Sequence, residues 1–97
     1  MDTIYLLRGA TFRWHDDKAR SNAEKHGVTF EEAAEVFFDP LGRSGDASRG
    51  DEERQFHMGR TCLGRSLLVV YVERSGSIRI ISARSPTRVE RKMYERS

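Results

Sequence analysis

The chain has 97 residues and a net charge of +2, with 37% hydrophobic and 33% charged residues, which suits one domain with a small core. No apolar run is long enough to cross a membrane, and a single cysteine excludes an internal disulfide. Residues 74–97 hold seven Lys or Arg against two Glu, whereas residues 1–73 carry a net charge of −3, so an anionic partner such as nucleic acid is expected.

The N-terminus predicts a short strand after an extension. Residues 1–11 are treated as an extension that is either ordered or frayed, and a single domain is expected over residues 12–97. Phe12-Arg13-Trp14 alternates as a strand does. Asp2 lies where a secretion signal needs basic residues, so a cytoplasmic protein is expected.

Two helices are predicted next. Acidic residues begin the first helix, which runs over about residues 16–26 and is stopped by Gly27 in the left-handed conformation. Thr29 and Glu32 have the spacing of a capping box, and the amphipathic helix that they start ends before Pro40.

The second half of the chain predicts strands and one more helix. Residues 41–53 have the composition of a weak strand and a loop, and proline at position 86 indicates the start of a basic helix that runs to about Arg96. Period-two or apolar runs joined by short glycine-containing turns predict antiparallel strands over residues 54–60, 67–72 and 78–84. The predicted fold is α+β, with two N-terminal helices packed on a small antiparallel sheet of three to four strands, plus a C-terminal helix.

The chemistry-bearing residues exclude several classes of protein. The three histidines lack the spacing of metal ligands, and no phosphate-binding glycine loop or nucleophile elbow is present, so neither metal nor cofactor is expected. A DNA-binding helix-turn-helix is disfavoured because the second helix exposes acidic residues.

What remains is a set of arginines on a sheet. Guanidinium groups bind two oxygens of a phosphodiester at once. Five arginines are candidates to converge on such an anion: Arg54, Arg74, Arg79, Arg84 and Arg88. In a regular strand Arg79 and Arg84 face opposite sides, and Arg84 is favoured for the phosphate site because it adjoins the last helix start. Tyr94 could stack on a base, or it could simply pack on the sheet.

His26 has two alternative roles, and the position of His57 in a strand predicts where its side chain lies. His26 could be a general acid or base, or a helix-terminal histidine that bonds the last carbonyls. His57 alternates with Phe56 and Met58, so it is expected to face solvent or a groove if those two residues pack in the core.

The order of motifs resembles the BrnT toxins of bacterial type II toxin–antitoxin systems. The similarity is carried by Phe12-x-Trp14-x-Asp16, Lys25-His26-Gly27-Val28-x-Phe30, Arg54-x-x-x-x-Gly59-Arg60, Arg79-Ile80-Ile81-Ser82-Ala83-Arg84 and Glu90-x-x-x-Tyr94. It covers roughly residues 12–94, and the blocks around His26 and Ser82 are long enough to be specific.

This resemblance implies a RelE-like ribonuclease toxin that inhibits translation by cutting RNA. It also implies a cognate BrnA-like antitoxin, which is dimeric and binds DNA, so that toxin and antitoxin form a heterotetramer that reaches DNA only indirectly. Within the matching motifs, the candidates for proton transfer are Lys25, His26 and Glu90. The other catalytic candidates are Arg54, Arg74 and Arg84, whereas Arg79, Arg88 and Tyr94 are expected to bind the RNA. The alternative is a non-catalytic module that binds RNA or a protein through the same arginines.

Overall fold

The computed structural model describes residues 1–95, and the predicted end of the last helix at Arg96 lies outside them. In chain order the elements are β1 (Asp2–Leu7), β2 (Ala10–His15), α1 (Asp16–His26), α2 (Phe30–Glu35), a 3₁₀ helix (Val36–Phe38), β3 (Arg43–Asp46), β4 (Gln55–Arg60), β5 (Ser66–Arg74), β6 (Ser77–Arg84) and α3 (Arg88–Glu95). The weak strand, the three later strands and the three helices expected from the sequence all occur near their predicted positions.

The sheet is larger than predicted and is not purely antiparallel. Its six strands have the order β1-β2-β6-β5-β4-β3. Strand β2 runs parallel to β6, whereas every other neighbouring pair is antiparallel. The fold is α+β as expected, but the prediction of an antiparallel sheet of three to four strands under two N-terminal helices is wrong. Pairing of Thr11 with Ser77 joins opposite ends of the chain, which no local sequence pattern reveals.

Residues 1–11, whose order the sequence left open, contribute a strand to this sheet. Asp2 pairs with His15 and Leu7 pairs with Ala10 in an antiparallel hairpin. The turn uses Arg8 and Gly9 at φ values of 51° and 83°, the positive values that a tight two-residue hairpin turn requires.

The starts and stops of the first two helices follow the predicted capping chemistry. Gly27 has a φ of 67°, and its N–H donates to the Ala23 carbonyl at 2.9 Å, which ends α1. The Thr29 hydroxyl accepts from the N–H of Glu32 at 3.0 Å, and the Glu32 carboxylate accepts from the N–H of Thr29 at 3.1 Å. The capping box is therefore confirmed. Helix α2 is shorter than expected, because the chain tightens into a 3₁₀ turn from Val36 to Phe38.

The main core lies between the sheet and the α1–α2 layer. Phe12 from β2 and Phe30 from α2 are fully buried there, and each buries enough apolar surface to contribute about 2–3 kcal/mol. The other fully or almost fully buried members are Trp14, Val28, Ala33, Ala34, Val36, Leu67, Val69, Ile80 and Ala83. We call the opposite side of the sheet, away from α1 and α2, the open face.

Strand β6 contains a β-bulge that decides which arginines share a face. Val70 of β5 pairs with Ser82, yet the next residue, Tyr71, pairs with Ile80, which leaves Ile81 without a partner in the register. The extra residue shifts the alternation by one position, so Arg79 and Arg84 both lie on the open face. The prediction that they face opposite sides assumed a regular strand and is wrong for this reason.

Asn22 joins α1 to the sheet where β2 diverges from β6. Its side-chain oxygen accepts from the N–H of Ala83 at 3.0 Å, and its side-chain nitrogen donates to the Ala83 carbonyl at 2.8 Å. The same nitrogen lies 3.2 Å from the Val28 carbonyl, and Asn22 is only 7% exposed. The amide thus pairs with β6 as a neighbouring strand would.

His57 belongs to the main core side of the sheet, and the expectation that it faces solvent or a groove is wrong. Its ring stacks on Phe37 with centroids 4.8 Å apart. Nε2 donates to the Val36 carbonyl at 3.0 Å, and Nδ1 accepts from the Ser44 hydroxyl at 2.7 Å. Burial lowers the pKa of His57. The expectation failed because Phe56 and Met58 pack in a second apolar cluster, on the open face.

Candidate functional site

A cavity of about 690 Å³ lies on the open face between β3, β4 and α3, and we call it the main cleft. Its floor is apolar and comes from β4 and β5, namely Phe56, Met58, Leu68 and Val70. Its lining includes four arginines and one carboxylate, namely Arg43, Arg49, Arg54, Arg84 and Glu90. A cavity with this lining is suited to a ligand that combines negative charge with flat apolar groups.

The guanidinium of Arg84 is held in one orientation by Glu90. Nη1 and Nη2 of Arg84 donate to the two carboxylate oxygens at 2.8 and 3.0 Å. Glu90 also accepts from the N–H of Thr87 at 2.7 Å, while the Thr87 hydroxyl accepts from the N–H of Glu90 at 3.2 Å. Thr87 therefore caps α3, which begins two residues later than the predicted start at Pro86.

The Arg84–Glu90 pair makes stability sensitive to acid. Hydrogen bonds from Arg84 lower the pKa of Glu90 from 4.5 to about 2. The charged pair therefore stabilises the folded chain above pH 4.5, and that contribution is lost as the pH falls toward 2.

We expect Glu90→Gln to lower the free energy of unfolding at neutral pH and to flatten its decline between pH 4.5 and 2. Denaturant unfolding of both proteins across this range measures the effect. Glu31→Gln is the matched control, because Glu31 is exposed and forms none of these bonds. Equal pH dependence of the wild type and Glu90→Gln would contradict the assignment.

Helix α3 is fixed over the cleft by Tyr94. The ring packs with Met58 and Leu68 and is 8% exposed, and its hydroxyl donates to Asp39 at 2.6 Å. Burial and this bond raise the pKa of Tyr94. Burial alone would raise the pKa of Asp39, but hydrogen bonds from Tyr94 and from backbone N–H groups outweigh it and hold that pKa below its usual value. Tyr94 is therefore a packed wall of the cleft, with little ring surface for a base to stack on.

Two arginines of the main cleft were missed in the sequence. Arg43 is in β3 and Arg49 is in the following loop, a stretch whose turn-rich composition gave no reason to single them out. Within residues 1–95 neither side chain has an ion-pair partner, whereas Arg54 pairs with Glu52.

Lys25 and His26 line a separate, shallow opening that we call the α1 cleft. It lies between α1 and the bulge of β6, and Ile81 and Ser82 form its other side. Lys25 is exposed and His26 is half-buried. Ser82 lines both the α1 cleft and the main cleft, so the two openings meet at this residue.

The five predicted arginines do not converge on one point. Arg54 and Arg84 line the main cleft. Arg74 and Arg79 line another opening at the turn between β5 and β6, and Arg88 is exposed at the start of α3 and lines none of these openings. The structure thus divides four of these arginines between two openings and leaves Arg88 outside both.

Residues 1–95 contain no group of His, Cys, Asp or Glu side chains arranged to hold a metal ion. No helix in this part of the chain is long and apolar enough to cross a membrane.

The fold and the basic cleft define a small α+β protein with a six-stranded mixed sheet, and a solved structure shares this fold. The crystal structure of the Brucella abortus ribonuclease toxin, BrnT, is similar with a TM-score of 0.57 and 18% sequence identity, covering 77% of this chain and 94% of that chain. At this identity the likeness shows a shared fold. No curated protein sequence matches the chain.

The sequence itself supplies the family. The model of the family described as "Ribonuclease toxin, BrnT, of type II toxin-antitoxin system" matches residues 14–90. The chain belongs to this family, which confirms the resemblance carried by the sequence motifs. Membership makes it a ribonuclease toxin, and a type II system implies an antitoxin partner.

Proposed function

We propose that the protein is a metal-independent endoribonuclease that acts in the cytoplasm and inhibits translation. The observation that carries this proposal is the main cleft, where four arginines surround an apolar floor and Arg84 is fixed by Glu90. Guanidinium groups suit the phosphodiester, and the apolar floor suits a ribose or a base.

In the proposed reaction the 2′-hydroxyl of the RNA attacks the adjacent phosphorus while the bond to the 5′-oxygen breaks. The products are a 2′,3′-cyclic phosphate and a 5′-hydroxyl, so one proton leaves the nucleophile and one reaches the departing oxygen. Arg84 and Arg54 stabilise the dianionic transition state, since preorganised donors act most strongly on charge that develops during the reaction.

The proton transfers are proposed for Lys25 or His26. Both line the α1 cleft, which meets the main cleft at Ser82. Glu90 was a further candidate from the sequence, but a carboxylate with a pKa of about 2 is a weak base near neutral pH. Its oxygens already accept from Arg84 and Thr87, so we assign it a positioning role.

We further propose a BrnA-like antitoxin that masks the toxin and, as a dimer, joins two copies into a heterotetramer that reaches DNA through the antitoxin. Helix α3 supports this idea, because Val89 and Met93 are 68% and 64% exposed. These apolar side chains share the helix with the exposed basic residues Arg88, Arg91 and Lys92.

The proposal is tested by incubating the purified protein with single-stranded RNA in excess EDTA. We expect cleavage to continue and the fragments to carry 2′,3′-cyclic phosphate ends. Protein with Arg84→Ala, purified in parallel, is the control for contaminating nuclease. Loss of cleavage in EDTA with recovery on adding Mg²⁺ would overturn the metal-independent mechanism.

One observation favours the alternative, a non-catalytic RNA- or protein-binding module. Within the described residues no histidine or lysine lines the main cleft, so its walls offer binding groups but few for proton transfer. RNA that binds tightly but stays intact, together with normal growth of cells that express the protein, would favour this module.

A further inference from the structure

A second basic opening lies on the open face, at the turn between β5 and β6. It has a volume of about 540 Å³, and we call it the hairpin cleft. Its lining residues are Thr11, Arg13, Arg74, Ser75, Gly76, Ser77 and Arg79. Arg79 is anchored by Asp2, to which its two terminal nitrogens donate at 2.8 and 3.1 Å. Neither Arg13 nor Arg74 has an ion-pair partner among residues 1–95.

The lining of the hairpin cleft selects the chemistry of its ligand. Arginine, serine and threonine side chains are the usual donors to phosphate oxygens. No apolar side chain lines the opening, whereas the core of a protein–protein interface is built around buried aromatic or aliphatic anchors. A phosphate chain therefore fits the cleft better than an acidic peptide does.

The position of the hairpin cleft connects it with the main cleft. The bulge at Ile81 puts Arg79 and Arg84 on the same face of the sheet. Arg79 lines the hairpin cleft and Ser82 lines the main cleft, and three residues of a strand span roughly 10 Å. One extended single strand of RNA can therefore reach both openings along β6.

We infer that the hairpin cleft is a second phosphate-binding site, which holds the backbone of the RNA substrate at a distance from the cleaved bond. The inference rests on the proposed function, because the main cleft is taken as the site of cleavage. Binding far from the reacting atoms raises the affinity for long RNA without contributing to the chemistry of a short one. The inference also changes the role of Arg74, which the sequence made a catalytic candidate. As a residue of the hairpin cleft, Arg74 would not touch the reacting phosphate.

The test compares Arg13→Ala with the wild type on RNA that cannot be cleaved. Fully 2′-O-methylated RNA lacks the nucleophile, so fluorescence anisotropy reports binding alone. For a strand of about 16 nucleotides, we expect Kd to rise about tenfold, the effect of one charged hydrogen bond. The slope of log Kd against log salt should fall by about 0.7 for the lost phosphate contact. Binding of a dinucleotide should not change. Arg20→Ala, on an exposed α1 arginine outside the three openings, is the control.

Cleavage kinetics then show whether Arg74 binds distant phosphate or takes part in catalysis. In Arg74→Ala, an increased KM for long RNA with an unchanged kcat supports a second phosphate site. A reduced kcat on a dinucleotide substrate returns Arg74 to the catalytic groups and overturns the inference.

Other outcomes of the binding test also decide the inference. An unchanged Kd for long RNA in Arg13→Ala overturns it, and so does an equal loss on long RNA and dinucleotide. Weaker binding of a protein partner with normal RNA binding would identify a protein interface instead. Failure of the wild type to cleave any RNA would refute the proposed function, yet anisotropy with uncleavable RNA would still test the hairpin cleft.

Discussion

Replacing Arg84 by alanine is expected to lower kcat for RNA cleavage by about 100- to 1,000-fold. Arg84 lines the main cleft, and the two hydrogen bonds that it donates to Glu90 orient it before substrate arrives. A group fixed in advance stabilises developing charge without having to reorganise during the reaction. The measurement is single-turnover cleavage of a labelled RNA, with circular dichroism to show that the variant is folded.

Three further variants separate charge from geometry. Arg84→Lys keeps the charge but loses the two-pronged contact, so we expect it to recover only part of the activity. Glu90→Gln keeps Arg84 but weakens its orientation, and its loss should be smaller than that of Arg84→Ala. Arg20→Ala should cleave RNA as the wild type does, because Arg20 pairs with Asp17 on the exposed side of α1. Wild-type activity in Arg84→Ala would remove Arg84 from the reaction.

Asn22→Leu is expected to destabilise the protein by about 2–4 kcal/mol. The substitution leaves both backbone groups of Ala83 without the amide that pairs with them, at a site where Asn22 is 7% exposed. For a domain of this size the melting temperature should fall by roughly 10–20 °C. Thermal unfolding followed by circular dichroism measures the change.

Two neighbouring variants distinguish lost hydrogen bonds from a general effect on α1. Ser21→Ala, on an exposed residue of the same helix, should change stability by no more than about 0.5 kcal/mol. Asn22→Asp keeps the shape but replaces the donating nitrogen, so a carboxylate oxygen would face the carbonyls of Ala83 and Val28. We therefore expect it to be destabilising too, and wild-type stability of this variant would contradict the role of the amide.

Features that depend on neighbouring residues could be predicted from the sequence. The capping box of Thr29 and Glu32 and the helix stop at Gly27 are decided within a few residues, and both are confirmed. The three central strands were also recognised, because alternation and glycine turns are local signals. The N-terminal strand was left undecided although Arg8-Gly9 offered a turn signal.

Features that depend on distant residues could not be predicted. The face of Arg79 relative to Arg84 follows from a bulge that only the pairing of β5 with β6 reveals. Arg43 and Arg84 line the same cleft only because β3 pairs with β4 at the edge of the sheet. The turn-rich sequence around Arg43 does not specify that pairing. The orientation of His57 depended on a second apolar cluster, which α3 completes through Tyr94.

The parallel pairing of β2 with β6 has a consequence for how the chain is made. The N-terminal hairpin joins the rest of the sheet through Ser77–Arg79, and Asn22 of α1 needs Ala83 as its partner. Contacts of such long sequence separation form late in folding, and a growing chain cannot make them before these residues leave the ribosome. Arg84 and α3 are synthesised later still. The main cleft is therefore incomplete until α3 has been synthesised, so on the proposed function the growing chain has no complete cleavage site before that point.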